Sequence, residues 1–386
     1  MSSENQALHT VASNITKFST DFYKALAENE KSNFICSPIS VSMVLSMVTY
    51  GARGNTEKEL RSALGLSEDD QLNKDGFQSL IDSLNAIEIV VLNLANKIYF
   101  NTNFNVKPEF KKLTETSFRS VSETIDFGNT SEASKNINSW CEEKTNNCIK
   151  NVVQPGDLID SQMVLVNAVY FKGEWKYTFD PSRTKPEPFH IDENTTKDAP
   201  MMNKTTRYNT NELADLDAKF IELRYKSKDV NHHPITMFII LPNEINGINT
   251  LESKVHTINF KDLHKNSTFK DCTLRLPKFK VESTLDLEKT LSKVGLKGIF
   301  EPSADFSGID ESGQLSVSKV IQKTFLEVDE VGSEAASASA MSITKRMGSC
   351  RPPISFTVDR PFLCVIVATE TGAQLFNGRI IDPTVH

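Results

Sequence analysis

The sequence predicts an α+β fold built as one interleaved domain over residues 1–386, and three observations carry that reading. Apolar residues recur at helical spacing near the amino terminus. Runs rich in β-branched and aromatic residues dominate later. No internal repeat and no Pro-, Gly- or Ser-rich linker divides the chain.

Taken in order, Val11, Ile15, Phe18, Phe22 and Leu26 form one apolar stripe of an amphipathic helix. Ser37-Pro38 then opens a helix that is apolar nearly all round, which implies a central position. Thr56 with Glu59 has the capping-box pattern, Leu60 and Leu64 supply an apolar face, and Gly65 is a C-terminal stop. The period then shifts: "IEIVVLNLANKIYF", "QMVLVNAVYF", "ITMFIILP" and "FLCVIVATETGAQLFNGRI" read as strands. Glu370-Thr371-Gly372 is a hairpin turn within the last. Helices are expected over 135–148 and in "STLDLEKTLSKVGL", where Leu287, Leu291 and Val294 share a face and Gly295 ends the run. "SVSKVIQKTFLEVDE" has strand character, with Val317, Val320, Phe325, Leu326 and Val328 facing a core.

Composition narrows the function. A net charge of −7 argues against a nucleic-acid partner. No apolar stretch approaches the roughly 20 residues needed to span a bilayer, and the start, "MSSENQALHT", has no signal-peptide pattern. Six cysteines without a CxxC pair or histidines at ligand spacing read mostly as free thiols and give no metal site. His232-His233 reads as a solvated turn before Pro234. GxSxG, HExxH, GxxxxGK[ST] and GxGxxG are all absent, so no enzyme class is indicated.

The segment "EVDEVGSEAASASAMSITKRMGSCRPP" stands out. Gly332 to Arg351 has no apolar periodicity and lies between two strand-like stretches, which makes it a long exposed loop of the kind that is functional or disordered. Its run of Ser and Ala contains no Pro, so it could join a sheet between existing strands. Ser333 to Arg346 would extend about 45 Å. The Lys345-Arg346 pair suits a trypsin-like protease, whose acidic primary pocket accepts Arg.

Five blocks in order, "NFICSPISVSMVLSMVTYGARGNT", "VNAVYFKGEWKYTF", "LPKFKVES", "EVDEVGSEAASASA" and "DRPFLCVIV…FNGRIIDP", resemble the serpins over essentially the whole length. The resemblance implies a single serpin domain of three β-sheets and about nine α-helices, with residues 332–351 as the exposed reactive-centre loop. It implies a suicide-substrate inhibitor and not an enzyme. The target cleaves the loop as an acyl-enzyme and is trapped when the freed arm, residues 333–345, inserts into the main sheet. The alternative is a non-inhibitory serpin serving as a binding or carrier protein.

Carried over by position, Gly332, Ser333, Glu334, Ala335, Ala336, Ser337, Ala338 and Ser339 match the small-residue hinge. Trp175, Lys278 and Glu330 match the breach at the top of the sheet, where insertion begins. Ser37, Ser40 and Asn167 match the shutter beneath its centre, with Gln322 where a histidine is often found; Gln322 cannot titrate. The family spacing places the reactive bond at Arg346–Met347, while a long downstream half keeps Lys345, Cys350 and Arg351 as alternatives.

The implied partner is a trypsin-like serine protease in covalent complex with a monomeric, secreted inhibitor; a cytoplasmic location is the alternative. No cofactor is required. A heparin-like glycosaminoglycan accelerator stays open: the usual basic helix region, "NKDGFQSLIDSLN", holds only Lys74. Lys107 to Lys112, "KDLHKNSTFK" and Lys172 with Lys176 read first as solvated faces.

Overall fold

A computed structural model describes residues 3–229, 233–266, 268–333 and 352–385. The amino-terminal stripe forms the helix Ser3–Asn29, with Val11, Ile15, Phe18, Phe22 and Leu26 all buried. The following helix, Pro38–Thr49, is buried at every residue, as a helix without a polar face must be. Gly54–Leu64 buries Leu60 and Leu64 and ends at Gly65 in the left-handed region, φ 65°. The expected capping box does not form. Arg53 is the N-cap, Thr56 Oγ1 accepts from the Asp305 amide at 2.9 Å, and Glu59 Oε2 accepts from the Gly298 amide at 3.0 Å. Both side chains satisfy distant backbone groups instead of their own helix end.

A six-stranded sheet runs Phe279–Asp286, Val317–Val328, Gly332–Ser333, Met163–Glu174, Val91–Asn101, Glu123–Ile125. Met163–Glu174 is covered on both faces, which explains why apolar residues sit on both sides of it from Met163 to Phe171, with Asn167 the one polar interruption. Met163, Leu165, Val169 and Phe171 meet the main core. Val164, Val166, Ala168 and Tyr170 pack with Ala133, Ile137 and Cys141 of the helix Thr130–Lys144.

The remaining nine strands pair continuously, and the 18-residue strand Thr196–Leu213 joins two groups of them. Through Asn209 it pairs with Phe269–Pro277, which in turn carries Ile354–Thr357. From Asn209 onward it pairs with Ala218–Arg224, which leads through Ile235–Pro242 and Phe362–Ala368 to Gln374–Ile380 and Phe34–Cys36. Divided at Asn209, the strands make three sheets, with nine α-helices among the described residues.

Two expectations change. Residues 283–296 are not helical throughout: Ser283 to Asp286 complete the strand Phe279–Asp286, and the helix is only Glu288–Lys293. The strand's alternating burial, with Val281, Ser283 and Leu285 inward, outweighs the helical spacing that begins at Leu287. His233 is buried rather than solvated. Its Nδ1 lies 3.2 Å from the Tyr225 carbonyl oxygen and its Nε2 lies 2.7 Å from Lys176 Nζ.

Candidate functional site

The site is the seam between Met163–Glu174 and Val317–Val328. These neighbours are parallel, registered from Val317 opposite Met163 to Phe325 opposite Tyr170. At the upper end they part, and the chain that leaves Val328 turns back between them. Gly332 lies opposite Glu174, and Ser333 lies opposite both Gly173 and Val328, antiparallel to each.

Local chemistry makes that reversal. Asp329 Oδ1 accepts the amides of Val331 at 2.9 Å and Gly332 at 3.1 Å. The Trp175 indole donates to the Asp329 carbonyl at 2.9 Å, and its backbone amide donates to the Val331 carbonyl at 2.8 Å. Only glycine fits at 332: a Cβ there would stand 1.9 Å from the Gly173 carbonyl oxygen. Gly173 is equally confined, since its Cβ would meet the Tyr225 ring at 2.7 Å. Below them Tyr225 Oη and Ser333 Oγ share a hydrogen bond of 2.7 Å, and Trp175 stacks on the Tyr225 ring at 4.6 Å between centroids. Burial pushes the Tyr225 phenol far above its ordinary value, so it stays protonated and available for that bond.

Lys278 and Glu330 come together here. Lys278 Nζ is 2.8 Å from Glu330 Oε2, and Thr184 Oγ1 donates to Glu330 Oε1 at 2.7 Å. Burial acts to raise the Glu330 carboxyl, but the Lys278 and Thr184 hydrogen bonds prevail and hold it below the ordinary carboxylate value.

Lower down, Ser37, Ser40, Asn167 and Gln322 form one buried network across the seam. Gln322 Nε2 donates to Asn167 Oδ1 at 2.6 Å and to the Ser37 carbonyl at 3.0 Å, while its Oε1 accepts the Ser37 amide at 2.9 Å. Asn167 Nδ2 donates to Ser40 Oγ at 2.5 Å and to Asn96 Oδ1. Asn96, Asn167 and Gln322 occupy one row across three strands. Gln322–Asn167 is the side-chain tie between the two strands of the seam.

With this geometry the family model described as Serpin (serine protease inhibitor) matches residues 13–383. The chain belongs to the serpin family. Serine protease inhibitor 42Dd of Drosophila melanogaster is 36% identical, over 95% of each chain. Among solved structures, Serpin48 of the insect Tenebrio molitor superposes with a TM-score of 0.88 at 35% identity, covering 96% of this chain and 98% of that one. Human thyroxine-binding globulin superposes with a TM-score of 0.89 at 28% identity, covering 98% of this chain and all of the other. Serpins are protease inhibitors and not catalysts, though the thyroxine binder shows that the fold also serves other ends.

The residues that the resemblance assigned to the breach and to the shutter are thus brought together in two clusters, and Gly332 and Ser333 sit in the sheet. Glu334, Ala335, Ala336, Ser337, Ala338 and Ser339, with Lys345, Arg346, Met347, Cys350 and Arg351, lie outside the described residues. Sequence reasoning missed Asn96, Tyr225 and Gly173. Asn96 was findable, since a polar residue inside the apolar run "IEIVVLNLANKIYF" needs a partner if buried. Tyr225 and Gly173 carry no local signal, because their roles depend on each other and on Ser333.

Proposed function

We propose that this serpin is a suicide-substrate inhibitor of a trypsin-like serine protease, with Arg346–Met347 as the scissile bond. One observation carries the reading: Gly332 and Ser333 already occupy the first positions of an inserted strand. With Ser333 opposite Gly173, antiparallel extension sets each later loop residue against an earlier strand residue. Ten further steps bring Ile343 opposite Met163, a run of about 33 Å. Arg346 would lie three residues beyond, at the far end of the sheet. A protease esterified to Arg346 would be carried that distance.

The protease's nucleophilic oxygen adds to the Arg346 carbonyl carbon, the bond to the Met347 nitrogen breaks, and the new amine takes the proton, leaving an ester. Insertion exchanges one parallel ladder for two antiparallel ones, each with better-aligned hydrogen bonds. In an inserted strand, alternation would set Ala335, Ser337 and Ser339 on the same face as Ser333, towards the core, where small side chains meet least resistance. We read the molecule as a single-domain monomer acting outside the cell. Burial pushes its Cys141 and Cys364 thiols up to about 12 and Cys272 to about 11, which keeps them unreactive there.

Mixing the protein with trypsin tests the proposal. The expected result is a complex that survives denaturing electrophoresis and a released peptide beginning at Met347; cleaved serpin beside fully active trypsin would overturn it. Arg346→Ala should slow complex formation by at least about 100-fold. Ala335→Pro should leave cleavage intact but abolish trapping, because proline cannot donate to either flanking ladder.

A further inference from the structure

The chain carries five Asn-x-Ser/Thr sequences, at Asn14, Asn129, Asn194, Asn203 and Asn266, and each has the acceptor pattern for an asparagine-linked oligosaccharide. Such a group is bulky and hydrophilic, so a folded chain tolerates it where the asparagine side chain stands clear in solvent and holds nothing together. Asn14 fails that condition. It is half-buried on the helix Ser3–Asn29, with its Cγ 3.5 Å from where a Cβ on Gly65 would stand. Asn203 fails it too, being half-buried within the strand Thr196–Leu213, where its Oδ1 accepts from the Arg183 guanidinium at 3.3 Å. Asn129 is exposed but caps the helix Thr130–Lys144, with its Oδ1 accepting the Glu132 amide at 3.3 Å.

Asn194 meets the condition. It stands in the tight turn between the strands Lys185–His190 and Thr196–Leu213, and every residue from 192 to 198 is exposed. The turn satisfies its own backbone: the Ile191 amide donates to the Thr195 carbonyl at 2.9 Å, and Asp192 Oδ1 accepts the Asn194 amide at 2.8 Å. The Asn194 side chain has no hydrogen bond among the described residues, so a substituent on its Nδ2 breaks nothing. Thr196, which supplies the hydroxyl that the acceptor pattern requires, is exposed beside it. The location also spares the seam. Thr184, just before the strand Lys185–His190, bonds Glu330 at the breach, and the six residues of that strand carry the turn about 20 Å away.

We propose that Asn194 is a modification site that takes an asparagine-linked oligosaccharide from a polyprenyl pyrophosphate donor. Asn194 Nδ2 bonds to the anomeric carbon of the sugar and gives up one proton, while the bond from that carbon to the pyrophosphate oxygen breaks and the pyrophosphate leaves with the electron pair. The proposal rests on the reading that this serpin acts outside the cell, since chains entering the secretory pathway are the ones that meet such a donor.

Secretion of the full chain from cultured mammalian cells, behind a cleavable signal peptide, tests the site. Release of the sugars by an amidase in heavy-oxygen water turns each modified Asn into a labelled Asp, which peptide masses then locate. The expected result is label at Asn194 in most secreted chains, with Asn14 and Asn203 bare. Asn194→Gln and Thr196→Ala should each remove one sugar-dependent step in gel mobility, and Thr196→Ser should restore it. All three changes fall on exposed side chains, and the label on the unsubstituted chain decides the matter even if a variant folds poorly. A bare Asn194 in the secreted protein would overturn the proposal, as would equal label at Asn14 and Asn203. Because the signal peptide sends the chain into the pathway whatever its natural address, a bare Asn194 counts against the site and not against the extracellular reading.

Discussion

Between Gly173 and Val328 the seam of the central sheet already holds Gly332 and Ser333. Six residues further down the strand Met163–Glu174, the same seam is tied side chain to side chain by Gln322 and Asn167. The upper end is open because Gly332 and Gly173 have no Cβ, so a third backbone can approach where side chains would collide. The lower part is shut by amide and hydroxyl groups that lie buried and have each other for partners. Parting the strands there strands those groups without hydrogen bonds until an incoming chain replaces them. The seam is thus open at one end and tied at the middle, and the insertion proposed above would have to undo that tie.

The largest way to break this contrast is Asn167→Ala. It deprives Gln322 of an acceptor and leaves Ser40 and Asn96 without their shared donor. Losing several coupled buried bonds should cost roughly 2–4 kcal/mol. The effect is read as a lower urea midpoint and, since the proposed insertion would make the native form a kinetically held one, as faster loss of that form at fixed temperature. If neither changes, the network does not hold the seam.

Gly332→Ala probes the upper end and should have a smaller effect, roughly 1–3 kcal/mol, because the displaced segment can move toward solvent instead of leaving a buried gap. The added Cβ would meet the Gly173 carbonyl oxygen at 1.9 Å, so Gly332 must leave its seat and Ser333 must release Tyr225. Trp175 stacks on Tyr225, so its emission in a Trp140→Phe background reports the loss. Unchanged emission would show that the seat tolerates a side chain and that the glycine argument is wrong.

These two regions also differ in how far they could be read from sequence. Apolar spacing located the helix Ser3–Asn29, the buried helix Pro38–Thr49 and the strands of the seam, because burial on one or both faces leaves a period that survives without coordinates. The capping-box pattern failed at Thr56 and Glu59, and helical spacing failed at residues 283–286, where partners far along the chain supplied the hydrogen bonds or the ladder. The shutter residues were named by resemblance, and the network adds Asn96 to them. The breach was less legible: no local pattern joins Gly173, Tyr225 and Ser333, which are distant in sequence and meet only when the strands part.

The smallest effect separates the two regions by pH. Glu330 titrates at the breach, whereas Gln322 at the shutter has no proton to gain. The Glu330 carboxyl is held below its ordinary value in the fold, so the unfolded chain takes up the proton more readily. Its contribution is fully present above the ordinary carboxylate pKa, near about 4.3, and is lost as pH falls through the lower folded value. Lys278 is 38% exposed, so solvent screens the pair and the contribution should stay below about 1 kcal/mol. Glu330→Gln should therefore lower the urea midpoint slightly at pH 7 and converge with the parent in acid. If the gap between the two proteins persists unchanged below the folded pKa, Glu330 acts there through packing and not through its charge.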